Sequence, residues 1–67
     1  MNKEEKQRYW EKHGYDHCIG DCKNFGVRFC EAELKRMLEL TGGNITNSYK
    51  GYKMALEDIL KKRGELK

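Results

Sequence analysis

Proline is absent from all 67 residues, and no stretch approaches the roughly 18 consecutive apolar residues of a membrane-spanning helix. The first absence removes the strongest helix breaker, and the second excludes a spanning helix as the organising element. The opening segment, Met1-Asn2-Lys3-Glu4-Glu5-Lys6-Gln7-Arg8, has no apolar stretch to form the core of a secretory signal. A reducing, cytoplasmic setting is therefore the expectation, and with it few disulfides. The Asn44-Ile45-Thr46 triplet is then a coincidence of composition and not a glycosylation site. Large aromatics are scarce, with two Phe and one Trp beside four Tyr, while charged and hydrophobic residues each make up 37%. Below ~70–80 residues a single core supplies no more than ~3–5 kcal/mol. One domain spanning 1–67 is expected, soluble, mainly helical and held by a staple.

Charge of one sign is also in short supply. The net charge is +3, and counting Lys and Arg against Asp and Glu gives +1 over residues 1–13, 0 over 14–30, −1 over 31–41 and +3 over 42–67. This falls short of the dense basic stripe of a dedicated nucleic-acid binder.

What the sequence does contain is helical periodicity interrupted by glycines. Asn2 is a helix N-cap candidate with Glu5 in the capping-box position. Lys6, Tyr9, Trp10 and His13 follow at helical spacing on a narrow face, and Gly14 reads as the stop. Residues 15–30 read as an irregular loop with turns at Gly20 and Gly26, and the alternation of Phe25, Val27 and Phe29 suggests a short strand. From Glu31 to Thr41 the period returns to 3.6, with Cys30, Leu34, Met37, Leu38 and Thr41 on one face and Gly42-Gly43 as the stop. A third helix presents Tyr49, Tyr52, Leu56, Ile59 and Leu60 and closes before Gly64. No internal repeat is apparent. The expected fold is three helices with a metal-stapled loop between the first and the second.

All three cysteines fall between His13 and Cys30, in the spacing His13-x4-Cys18-x3-Cys22-x7-Cys30 with His17 beside the first. Zinc takes four tetrahedral N or S donors, and three cysteines with one histidine is a common structural set. Cys18, Cys22 and Cys30 are the expected ligands. His13 is the expected fourth, because it would tie the thinly anchored first helix to the loop; His17 is its alternate, followed by Asp16, Asp21 or water. Three reduced cysteines without metal, or a Cys18–Cys22 disulfide plus one thiol, remain open. A helix beginning after Cys30 would favour its thiolate through the unpaired N–H groups of the first turn. The arrangement over residues 18–41 resembles half of a treble-clef zinc finger, in which a knuckle, a hairpin and a helix N-terminus clasp the metal.

No catalytic role is expected. A catalytic zinc keeps an open position among three protein ligands, and three thiolates would blunt its Lewis acidity. A phosphate-cradling glycine loop, a nucleophile elbow and the zinc-deaminase pattern are all missing. The third helix holds most of the positive charge, yet Lys53–Glu57, Glu57–Lys61 and Asp58–Lys62 are i, i+4 pairs that neutralise it. Lys61, Lys62 and Arg63 cluster at its end, and Met54 projects among the charges; these four are the candidate partner-binding residues. The Thr41-Gly42-Gly43-Asn44-Ile45-Thr46 turn is similar to the helix–turn of Fis-type DNA-binding domains. In size, composition and cysteine-rich loop the chain resembles the small zinc-containing anti-CRISPR proteins of phages. That resemblance implies stoichiometric binding to an RNA-guided nuclease in the host cytoplasm. The alternative is a zinc-containing nucleic-acid-binding transcriptional regulator.

Overall fold

The structure, a computed structural model, describes residues 2–64. It is helical, with α1 over Lys3–Phe25, α2 over Val27–Leu40 and α3 over Asn47–Lys62, and no strand among the described residues. Three helices is the expected class. Their boundaries differ from the sequence reading in one instructive place.

α1 begins as expected, with the Asn2 side chain accepting the Glu5 N–H at 2.8 Å. It does not stop at Gly14 but continues for 23 residues, so residues 15–25 are helix and not loop. Gly14 has a different job. It is buried against α3, and a Cβ there would sit 2.9 Å from the Ser48 carbonyl carbon and nearer still to its oxygen. Gly51 on α3 mirrors it: a Cβ there would sit 2.7 Å from the Glu11 carbonyl carbon. Two glycines thus let the backbones of α1 and α3 touch. α3 starts beside Trp10 and ends beside Phe25 and Gly26, so the two helices run in the same direction. α2 is the return stroke.

A short repeat lies behind this contact, contrary to the expectation of none. Gly14-Tyr15-x-x-Cys18-Ile19-x-Asp21 on α1 matches Gly51-Tyr52-x-x-Ala55-Leu56-x-Asp58 on α3 at a constant offset. Each tyrosine reaches the other helix's aspartate. Tyr15 donates its hydroxyl to Asp58 Oδ2 and Tyr52 donates to Asp21 Oδ2, both at 2.8 Å. The α1–α3 pair therefore has a local two-fold axis running between its helices.

Gly26 alone joins α1 to α2. Its φ of 95° and ψ of 167° lie in a region essentially reserved for glycine, and its N–H closes α1 on the Cys22 carbonyl at 3.1 Å. The Phe25–Phe29 alternation that suggested a strand is the sharp corner between two helices. α2 ends as the glycines indicated, with Gly43 N–H bonded to the Leu38 carbonyl at 2.7 Å and both Gly42 and Gly43 at positive φ. Thr46 then caps α3 by accepting the Tyr49 N–H at 3.1 Å. The buried core is small, consisting of Cys18, Cys30, Tyr52, Ala55 and Leu56, with Cys22, Leu34, Met37 and Leu60 packed around it. Two of its five members are cysteines.

Candidate metal centre

Because α1 continues past Gly14, Cys18 and Cys22 occupy its last two turns at i, i+4 spacing, which puts both sulfurs on one face. Cys30 enters from the first turn of α2, across the Gly26 corner. The three sulfurs lie within 4.8 Å of one another. Cys18 and Cys30 are fully buried, and Cys22 is half-buried. The Cys30 thiol also points at the Cys18 carbonyl, 3.6 Å away. The cluster thus spans the corner between two helices, where a treble-clef knuckle would have used an irregular loop.

The residues fit a metal in one respect and a disulfide in another. An edge of a tetrahedron with Zn–S bonds of about 2.3 Å measures about 3.8 Å. Cys18 Sγ and Cys22 Sγ are 3.8 Å apart. Cys22 and Cys30, whose Cα atoms are 6.1 Å apart, have their sulfurs at disulfide distance. Two exclusive chemistries follow: a Cys22–Cys30 disulfide beside the Cys18 thiol, or three thiolates around a cation. The Cys18–Cys22 pairing weighed from the sequence is not the pair at bonding distance.

Neither histidine joins the sulfurs among the described residues. A continuous α1 carries His13 five residues ahead of Cys18 and about 140° around the helix. Its ring stacks on Tyr9 at 6.3 Å and meets Trp10 edge-on at 5.8 Å. His17 is exposed and gives its Nδ1 to Asp21 Oδ2 at 3.1 Å, with its ring 6.1 Å from that of Tyr52. Tyr9, Trp10, His13, His17 and Tyr52 form a ladder of rings along one flank. Asp21 is occupied by Tyr52 and His17, and Asp16 is exposed on the helix surface.

The electrostatics favour neutral sulfur until a cation arrives. Burial, and then the nearby Asp21 carboxylate, push the Cys18 thiol up to about 11. Such a thiol is a poor nucleophile at neutral pH. Burial foremost, then the hydrogen bond to Asp21, also raise Tyr52 above its ordinary 10.0, while Tyr15 is raised mainly by its bond to Asp58. A bound dication reverses this balance at sulfur, since it stabilises thiolates outright.

The proposed partner residues Lys61 and Lys62 are exposed in the last turn of α3, with Arg63 as its C-cap. Met54 is 53% exposed. It stands apart from these cations, on the face of α3 that also borders Tyr15. Tyr9 and Trp10, expected on the apolar face of the first helix, are left at the surface, as are Phe25, Leu40 and Ile45. No helix of the described residues is long and apolar enough to cross a membrane. Comparison with protein-family models, curated proteins and solved structures finds no match.

Proposed function

We propose that this chain is a small binding protein whose α1–α2 corner is stapled by one zinc ion on Cys18, Cys22 and Cys30, and which acts by stoichiometric association with another protein. The observation that carries the reading is the enclosure of three sulfurs from two helices within 4.8 Å, two of them fully buried in a core of five residues. A core this thin gains most from a metal, whose apparent contribution at such sites is about 10–16 kcal/mol. With His13 and His17 turned to the ring ladder, water completes the tetrahedron in this proposal. Zinc on three thiolates requires a reducing compartment, which is why the cytoplasm is the proposed location.

Binding is proposed over catalysis because three thiolates blunt the Lewis acidity of the ion they hold, and Cys18 and Cys30 are fully buried. The exposed aromatic and aliphatic side chains supply interface material, since Tyr, Trp and Met are enriched where proteins meet. A rigid scaffold loses little entropy on docking. The exposed cations at the end of α3 would speed encounter with an acidic patch. The resemblance in type to zinc-containing anti-CRISPR proteins makes an RNA-guided nuclease the first partner to test.

Elemental analysis of protein purified under reducing conditions should find close to one zinc per chain. The same protein, mixed at physiological salt with candidate effector nucleases and separately with duplex DNA and RNA, should bind an effector. A metal-free folded chain refutes the staple. Binding to nucleic acid alone, weakening steeply with salt as counterion release demands, refutes the protein-binding reading in favour of the regulator.

A further inference from the structure

The local two-fold axis of the α1–α3 pair creates two equivalent grooves, one on each side, and α2 fills one of them. On the filled side Tyr52 is 1% exposed and Leu56 is 5% exposed. Their repeat partners on the other side are Tyr15, only half-buried, and Ile19, 40% exposed. Met54, at 53% exposed, borders the same open side. The tyrosine-to-aspartate clasp is present at both grooves, so the floor is built twice and covered once. A hollow of about 360 Å³ bordered by Tyr15, Gly51 and Met54 lies on the open side, rimmed by charges of both signs from Arg8, Lys12 and Asp16.

We propose that this second groove, centred on Tyr15, Ile19 and Met54, is the docking site for one amphipathic helix of the partner protein. The inference rests on the protein-binding reading above and gives it a surface and a kind of partner. The filled groove shows what such a helix must offer. α2 covers it with Cys30, Leu34 and Met37, a small residue followed by two longer apolar ones at i, i+4 and i+7. The incoming helix therefore carries a small–large–large apolar stripe with polar flanks, the helix-in-groove mode of recognition. A second copy of this chain does not provide it. The outward face of α2 carries Arg28, Glu31, Lys35 and Arg36, all exposed, so its one apolar stripe is already used.

The test uses the metal-loaded full chain with labelled Ile and Met methyl groups, titrated with a synthetic peptide of residues 27–40 carrying Cys30→Ala as the probe helix. Saturable NMR shifts at Ile19 and Met54, with Met37 unmoved, are expected. Ile19→Asp and Met54→Asp should each weaken the peptide about tenfold or more, because a carboxylate would be buried without a partner. Both sites are surface positions, so the melting transition should stay in place and separate lost binding from lost folding. Absence of saturable shifts overturns the proposal. So do shifts at Met37, which would mean displacement of the chain's own α2. A concentration-dependent dimer abolished by Met54→Asp would also overturn it by making a second copy the occupant. An effector that binds the two aspartate variants as tightly as the wild type refutes the groove while leaving the protein-binding reading standing.

Discussion

Replacing Gly51 by alanine tests the architecture most severely, because the ordinary expectation and the structural one have opposite signs. In an exposed helix interior, Gly→Ala stabilises by about 1 kcal/mol through backbone entropy. At Gly51 the new Cβ would lie 2.7 Å from the Glu11 carbonyl carbon, whereas ordinary contact begins at 3.4 Å. The obstacle is backbone, which cannot rotate away, so α1 and α3 must separate by roughly 1 Å, a gap that forfeits about a quarter to a half of each dispersion contact across it. Cys18, Tyr52, Ala55 and Leu56 all pack near that seam. Overpacking of about 1–3 kcal/mol, together with the opened core, outweighs the entropic gain, and a net loss of about 2–4 kcal/mol is expected. For a domain of this size each kcal/mol moves the midpoint by about 4–8 °C, so the thermal midpoint followed by circular dichroism should fall by roughly 8–32 °C. Gly20→Ala is the internal control: nothing lies within 4 Å of its Cβ position, and it sits in the same helix with helical backbone angles. It should raise the midpoint by roughly 4–8 °C. If Gly51→Ala melts at or above the wild type, the close approach of the two helices is wrong.

Further perturbations probe the corner and the sulfurs. Gly26→Ala forces a side chain onto a φ of 95° and ψ of 167° and should cost about 1–3 kcal/mol in urea denaturation even though the space around it is open; an unchanged midpoint would contradict the corner geometry. Cys30→Ser should lose the zinc measured by elemental analysis and cost more than a core truncation of about 2–5 kcal/mol, giving partial unfolding; a variant melting with the wild type would make the cysteines bystanders. In the metal-free chain with Cys22 and Cys30 paired, the Cys18 pKa of about 11 stands above its ordinary 9.0. Folding thus favours the protonated thiol, and the stability this brings is intact below pH 9 and lost as pH climbs through 11. Tyr52 and Tyr15, also raised, act in the same direction, so urea midpoints taken from pH 8 to 11 should decline steadily; a flat or rising series sinks this account.

Much of the fold could be read from residue spacing, and the part that could not has a definite cause. The Asn2 cap, the Cys30–Leu34–Met37 face and the Tyr52–Leu56–Leu60 face follow from period and capping chemistry, and the structure uses them as such. Gly14 was the point of failure. A glycine after a short amphipathic stretch is equally suited to ending a helix and to letting another backbone approach, and a one-dimensional pattern does not separate the two. Beyond Trp10 the inner face of α1 is Gly14, Tyr15, Cys18 and Cys22, and the two cysteines read as metal ligands and not as a core stripe. The usable signal was the match of Gly14-Tyr15…Asp21 to Gly51-Tyr52…Asp58, which pairs each glycine with a tyrosine and an aspartate at fixed distance. The cysteine grouping was visible from spacing alone. The fourth donor was not, because placing His13 depended on where α1 ended.

The single-residue corner at Gly26 also makes α2 a lever. Fourteen residues of helix extend about 21 Å from the pivot, so each degree of rotation at Gly26 sweeps the Leu40 end through about 0.4 Å. Cys30 sits only about 5 Å along that arm, so positional slack at its sulfur is magnified about fourfold at the tip. Holding Leu40 to within about 1 Å therefore requires the sulfur to be fixed to about 0.25 Å, a tolerance comparable to the ±0.2 Å spread of metal–ligand bond lengths. Whatever binds the three sulfurs sets, at this leverage, how wide α2 stands from the other two helices.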